Sequence, residues 1–246
     1  MGLFKNRLSG IVLALLLAVL ASSCGQSAGE RLVFVTTVNG DPEIAVVDTT
    51  SGQITTITDN QSRDLFPRWS PDRRNIAYVA DGSGDLEINV VDHEGETITR
   101  LTHNAGDDLF PRWSPDGQKL AFISEQEGEP ELYLMDSDGG KATRINANTN
   151  IGNGDTGPTG VILGGWSPNG EWLVFYVEAS VEGSQEEQGL WLRNPLGVNL
   201  HRLTMGQDRE PVWSPDGSRI AFVRSDDGNA DIFILRKQKN GDWQDS

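Results

Sequence analysis

Three aspartates occupy the same place in a repeated motif and are the most regular candidates for binding chemistry in the chain. Asp64, Asp108 and Asp208 each lie five residues before a tryptophan. Carboxylates at matched positions can pair with Lys or Arg of a protein partner, or bind a hard cation such as calcium. They can equally accept hydrogen bonds from loop backbone, which would make them structural. The spacing alone leaves both roles open.

Motifs for catalysis are missing from the sequence. It contains no Gly-x-Ser-x-Gly elbow, no His-Glu-x-x-His pair and no phosphate-binding loop. One cysteine and three histidines exclude a cysteine-rich zinc site or an iron–sulfur cluster. We therefore expect no catalytic residues, no metal centre and no cofactor. One oxygen-rich segment leaves calcium open, although its order does not match an EF-hand: Asn146, Asn148, Asn150, Asn153 and Asp155.

The charge balance limits the kind of partner. The 246 residues include 36 acidic and 20 basic side chains, for a net charge of −16. Such a chain is a poor ligand for nucleic acid, which is itself a polyanion. The acidic loops favour partners with basic segments, although they could also serve only to keep the protein soluble.

The first 23 residues are typical of an export signal. Lys5 and Arg7 precede an apolar run over 11–21, which is too short to span a bilayer. Small residues before Cys24 resemble a bacterial lipobox, so we expect lipidation of Cys24, with residues 24–30 as a tether. Ordinary cleavage after Ser23 is the alternative. Either route places the protein in the bacterial cell envelope, and lipidation would anchor it to a membrane at the periplasmic or exposed side.

The remainder, 31–246, is a single repeat in several copies. Asp-Leu-Phe-Pro-Arg-Trp-Ser-Pro-Asp occurs letter for letter at 64–72 and 108–116, and looser copies follow around 166 and 213. Each copy precedes short apolar strands and polar loops, in units of about 45 residues without helical periodicity. Such units predict an all-β propeller of four-stranded blades. We assign its tryptophans and prolines to packing: Trp69, Trp113, Trp166, Trp213, Pro71, Pro115, Pro168 and Pro215.

The count of strands gives about five blades, of which the first and the last are incomplete. Residues 31–58 provide strands without the tryptophan-bearing one, and only five residues follow the turn at Asn240-Gly241. Unpaired strand edges are a hazard in β proteins, so we favour a closed or nearly closed ring of five. A truncated sequence or strands from a partner are the alternatives.

The turn after each tryptophan has a sequence that suits a type I turn. Ser, Pro and Gly take the first, second and last positions, and the final residue needs a left-handed backbone. Three copies carry glycine there, but the first carries Arg73. We predict a left-handed, strained backbone at Arg73.

These residues resemble the TolB-type propeller repeat through the motif Asp-x-x-Pro-x-Trp-Ser-Pro-Asp-Gly, at 64–73, 108–117 and 208–217 with a degraded copy ending at 170. The resemblance implies a non-catalytic scaffold that docks protein or peptide partners in the periplasm. Asp64, Asp108 and Asp208 would then ring the channel mouth and bind basic side chains. The alternative is a propeller that binds calcium or a small ligand, or one with hydrolase or lyase chemistry in the channel.

Overall fold

A computed structural model describes residues 30–82, 84–145, 160–178, 188–226, 229–239 and 241–245. The predicted signal, most of the tether, Cys24 and the calcium candidates at 146–155 lie outside the described residues, so those assignments stay predictions. Among the described residues there is no helix of the length and apolarity that crossing a membrane requires.

The described strands form five antiparallel sheets in chain order. Blade 1 contains β1 (Arg31–Val38), β2 (Asp41–Asp48) and β3 (Ile54–Thr56). Blade 2 contains β4 (Asp64–Trp69), β5 (Asn75–Ala80), β6 (Glu87–Asp92) and β7 (Ile98–Arg100). Blade 3 contains β8 (Asp108–Trp113), β9 (Lys119–Ser124), β10 (Glu131–Asp136) and β11 (Thr143–Arg144). Blade 4 contains β12 (Gly160–Trp166), β13 (Leu173–Glu178), β14 (Gly189–Arg193) and β15 (Leu200–Arg202). Blade 5 contains β16 (Asp208–Trp213), β17 (Arg219–Asp226), β18 (Asn229–Lys237) and β19 (Trp243–Asp245). The all-β propeller architecture is confirmed.

The core lies between adjacent blades. Side chains alternate along each strand, so one face of a blade packs on the blade before it and the other on the blade after it. Ala77 and Ile88 of blade 2, for example, share a cluster with Leu120 and Phe122 of blade 3, and all four are buried. The repeat therefore stabilises each blade mainly through its neighbours, as in other repeat folds.

The two terminal blades differ from each other. Among the described residues, blade 1 has three strands and lacks the innermost one, as the sequence predicts. Blade 5 is complete, contrary to the prediction, because β19 pairs with β18 from Lys237 opposite Trp243 to Leu235 opposite Asp245. A turn that contains Gly241, with a positive φ of 91°, lets so few residues return along β18.

The described strands do not close into a ring, which corrects the expectation of a closed ring of five. Among the described strands, none of blade 1 contacts one of blade 5. Neighbouring blades elsewhere meet through their inner strands, in the pairs β4 with β8, β8 with β12 and β12 with β16. Blade 1 has no inner strand to meet β16, and Val212 and Ile232 of blade 5 are 51% and 78% exposed.

The Ser-Pro-Asp-Gly turns also join consecutive blades. In the first turn the Ser70 hydroxyl donates to Asp72 at 2.6 Å and accepts from the backbone N–H of Asn75 at 3.0 Å. The prolines of three turns lie beneath the turn glycine of the following blade: Pro71 beneath Gly117, Pro115 beneath Gly170 and Pro168 beneath Gly217. A side chain added at any of these glycines would come within 3.5 to 3.8 Å of the proline ring.

Arg73 has the predicted left-handed backbone, with a φ of 58° against 69° to 73° for the glycines at the same position. We expect Arg73→Gly to raise the melting temperature, because glycine removes a strain of about 1 kcal/mol, or roughly 2–4 °C for a domain of this size. Differential scanning calorimetry measures the shift. Gly117→Ala, at the equivalent turn, should lower the melting temperature by a similar amount. An unchanged or lower value for Arg73→Gly would contradict the explanation.

Candidate functional site

The inner strands of the three best-matching repeats share a bulge that fixes where their side chains point. Pairing with the second strand slips between Leu65 and Arg68, and equivalent slips occur in β8 and β16. Phe66, Phe110 and Glu210, two residues after each aspartate, have φ values of 54° to 55°. Left-handed conformations of bulky residues are strained and cluster at functional sites. The sequence analysis missed this bulge, although the verbatim repeat of Phe-Pro-Arg pointed to a special backbone.

Asp64 begins β4 and is fully buried at the junction of blades 1 and 2. Its carboxylate accepts from the Asn60 side-chain amide at 2.8 Å, and the backbone N–H of Asn60 donates to Glu43 at 2.9 Å. Burial raises the pKa of Asp64 above its ordinary value, and the Glu43 carboxylate raises it further. Glu43 is itself fully buried, so two carboxyl groups share an enclosed space.

Asp108 repeats this arrangement between blades 2 and 3. Its carboxylate accepts from Asn104 at 2.6 Å, and its side chain is fully buried. Burial raises the pKa of Asp108 to about 6, although hydrogen bonds from Ser124, Thr102 and Asn104 lower it. Here the neighbouring Glu87 carboxylate forms an ion pair with the Arg100 guanidinium, at 2.6 Å.

Asp208 has the same position in blade 5 but a different partner. Arg224, directly opposite on β17, donates to both carboxylate oxygens at 2.8 Å. The residues opposite the other two aspartates are Ala80 and Ser124, which carry no charge. The guanidinium also lies over Phe233, 4.6 Å from the ring centroid. Asp208 thus forms a buried, bidentate ion pair.

The structure differs from the expectation that these three carboxylates ring an open channel mouth. Asp64 and Asp108 have no exposed surface and Asp208 retains 2%. Each lies beneath the loop that leads into its inner strand, which we call the approach loop, and the Asn60 and Asn104 contacts tie the first two loops down. For Asp64 and Asp108 the preceding blade contributes to the enclosure through Glu43 and Glu87, which a repeat motif does not reveal.

Tryptophan side chains connect the inner strands of successive blades. The indole N–H of Trp113 donates to the backbone oxygen of Arg68 at 3.1 Å, and that of Trp166 to Arg112 at 3.0 Å. The Trp69 indole N–H is buried without a partner among the described residues, since no inner strand precedes it. Trp213, also without an acceptor in that part of the chain, instead packs edge-on against Trp243 at 5.5 Å. The hydrogen bonds of Trp113 and Trp166 connect the inner strands of blades 2, 3 and 4.

Two arginines lie where the inner strands converge, and the sequence analysis did not single them out. Arg68 donates to the backbone oxygen of Pro67 at 2.8 Å. Arg112 donates to the backbone oxygens of Pro111 and, across to blade 4, Gly164 at 3.1 and 2.8 Å. Among the described residues no carboxylate forms an ion pair with either guanidinium. Their verbatim recurrence 44 residues apart was the available signal.

Desolvation and mutual repulsion act on this pair of cations. Burial lowers the pKa of Arg68, and lowers that of Arg112 well below its usual range, where the charge of Arg68 contributes further. Both side chains nevertheless keep partial contact with solvent. We call the space around Arg68 and Arg112, with Tyr176 and Glu210 nearby, the inner recess.

The face on which the approach loops lie is acidic at its surface. The approach loops bind the loops between the second and third strands: Asp107 accepts from the Leu86 N–H at 2.9 Å, and Asp81 from the Arg63 N–H at 2.7 Å. Seven carboxylates belong to these loops, and we call them the acidic face: Asp59, Asp81, Asp85, Asp107, Glu125, Glu127 and Glu129. The further acidic residues Glu182, Glu186, Glu187 and Asp227 lie outside the described residues. In the described ranges, no group of three or more His, Cys, Asp or Glu side chains is placed to hold a metal.

Comparison with known proteins identifies relatives of the repeat. A protein TolB homolog of Chlorobium luteolum is 38% identical over 73 residues, which is 29% of this chain and 15% of that protein. TolB from Acinetobacter baumannii superposes with a TM-score of 0.68 at 23% identity, covering 90% of this chain and 53% of that one. An oligogalacturonate lyase in complex with manganese superposes with a TM-score of 0.65 at 18% identity, covering 87% of this chain and 61% of that one. The fold thus occurs in enzymes as well.

The chain spans about half of the TolB structure and a smaller share of the TolB homolog. The TolB beta propeller domain matches residues 19–163, more than half of the chain, and includes the two verbatim repeats. The chain therefore belongs to the TolB beta propeller domain family.

Proposed function

We propose that this protein is a non-catalytic docking scaffold of the bacterial cell envelope, anchored by lipid at Cys24, and that it binds protein or peptide partners through the acidic face. TolB-like propellers are binding scaffolds, and family membership supports that general role. The observation that carries the finer proposal is the charge of the acidic face. Among the described residues, its seven carboxylates form ion pairs only with Arg63 and Arg144. A basic segment of the partner complements such a surface.

Asp64, Asp108 and Asp208 have an indirect part in this proposal. All three are buried. Asp64 and Asp108 hold their approach loops in place, and the exposed acidic side chains of the acidic face make the contact. Electrostatic contacts of this kind speed association and are screened by salt within about 10 Å at 0.1 M. Binding should therefore weaken as ionic strength rises.

The test compares two sets of charge-neutralising substitutions. Asp59→Asn, Glu127→Gln and Glu129→Gln together remove three exposed charges from the acidic face. The matched control, Glu94→Gln, Glu96→Gln and Asp138→Asn, removes three exposed charges from turns at the opposite ends of the strands. The measurement is affinity capture from gently solubilised bacterial envelopes. The wild type and the control should retain the same partners, and the amount of partner captured by the first variant should fall about tenfold or more. Equal retention by both variants, or no salt dependence, would refute the proposal.

A further inference from the structure

We infer that Arg68 and Arg112 bind an anionic oxygen group, a carboxylate or a phosphate, in the inner recess. This inference goes beyond the proposed function, because the recess would take the anion whether or not a protein docks on the acidic face. The recess contains partly buried cations, whereas the docking surface consists of carboxylates in the loops.

The first argument is the hydrogen-bonding capacity that the two guanidinium groups retain. An arginine has five N–H donors. Arg68 donates one to Pro67, and Arg112 donates two to Pro111 and Gly164. The remaining donors have no carboxylate partner within the described ranges, and planar guanidinium groups bind carboxylate and phosphate through paired hydrogen bonds.

The second argument is that the surroundings favour an anion over bulk water. Arg68 and Arg112 occupy equivalent positions on the contacting inner strands β4 and β8, so their like charges repel each other in partly buried surroundings. An anion between them would relieve that repulsion, and it would gain more there than at a fully exposed site. Gly164 and Gly165 of blade 4 face Arg112 without a side chain. A β-carbon added at Gly165 would lie 4.0 Å from the Arg112 side chain, so the glycine leaves room beside it.

The local contacts of Arg68 show that it is not needed to hold the fold together. Within the described residues, the Arg68 side chain makes one hydrogen bond, to the residue that precedes it, whereas Arg112 bridges blades 3 and 4. Removing the charge of Arg68 should therefore leave the free protein as stable as before, or more stable, while it weakens anion binding. A purely structural arginine would show the opposite pattern.

Neighbouring charges define a second variant. Glu210 on β16 and Glu178 on β13 act electrostatically on Tyr176 together with Arg112 and Arg209, so both carboxylates belong to the charged surroundings of the recess. Glu210 is exposed and makes no ion pair with the described residues. Its negative charge opposes an incoming anion, so Glu210→Gln should strengthen binding severalfold.

The experiment measures sodium citrate and sodium phosphate binding to the full chain by isothermal titration calorimetry, at constant ionic strength set with sodium chloride. We expect saturable binding of at least one probe, weakened about tenfold or more by Arg68→Gln. Arg74→Gln, an exposed arginine on the turn side, should leave binding unchanged. In thermal unfolding without ligand, the melting temperature of Arg68→Gln should equal or exceed that of the wild type.

Each outcome decides the matter. Binding of citrate alone assigns carboxylate chemistry, binding of phosphate alone assigns phosphate chemistry, and binding of both assigns the anionic oxygen group that they share. No binding of either probe up to about 20 mM would overturn the inference, because such a site would be too weak to matter. Equal weakening by Arg74→Gln and Arg68→Gln would overturn it as well, since binding would then follow net charge alone.

Discussion

Arg224→Met should destabilise the protein by about 3–5 kcal/mol, the largest single effect that we expect in this chain. The substitution leaves the Asp208 carboxylate buried without the guanidinium that now donates to both of its oxygens. A buried charge that loses its partner costs several times more than a surface pair. The side chain also loses its stacking over Phe222 and Phe233. Urea unfolding at neutral pH, followed by tryptophan fluorescence, measures the loss.

The control for this prediction removes both charges together. Asp208→Asn combined with Arg224→Met leaves no isolated carboxylate, so the double variant should recover a large part of the lost stability. A loss below about 1 kcal/mol in Arg224→Met alone would contradict the prediction, because it would mean that water reaches Asp208 in the folded state.

Asp108→Asn should change stability in the opposite direction and raise the free energy of unfolding by about 1–3 kcal/mol at pH 7.5. Burial raises the pKa of Asp108 from 3.8 to about 6, so the folded protein holds this proton more tightly than the unfolded chain does. The contribution of the group to stability is therefore full below pH 4 and is lost as the pH rises through about 6. Asparagine cannot ionise and escapes that loss.

The measurement is urea unfolding of the wild type and Asp108→Asn at pH 7.5 and at pH 4.5. The difference in free energy of unfolding between the two proteins should fall at pH 4.5 to less than about half of its value at pH 7.5, because the native carboxyl is mostly protonated there. Asp208→Asn is the matched control at the same repeat position, and it should destabilise the protein, because it breaks the bidentate ion pair with Arg224. If Asp108→Asn lost stability at pH 7.5, the carboxylate would be contributing favourably and the burial argument would be wrong.

Much of the fold could be predicted because the relevant interactions are local and repeated. Each blade is built from neighbouring strands joined by short turns, so the copies at 64–72 and 108–116 already determine the pairing inside a blade. The left-handed backbone at Arg73 followed from the comparison with glycine at 117, 170 and 217. Ring closure did not follow, because it depends on whether the two ends of the array meet.

The repeat, the strand order within each blade, the turn chemistry and the resemblance to the propeller family follow from the order of the residues alone. What the repeated residues do depends on how the blades pack. Asp64, Asp108 and Asp208 have the same place in the repeat but different charged neighbours. Asp64 lies beside Glu43, Asp108 lies beside Glu87, which pairs with Arg100, and Asp208 pairs with Arg224. Arg68 and Arg112 form a pair of cations only because the inner strands converge. The physical reason is that burial and charge pairing depend on the neighbouring blade or the opposite strand, and a side chain acquires those neighbours only when the blades assemble.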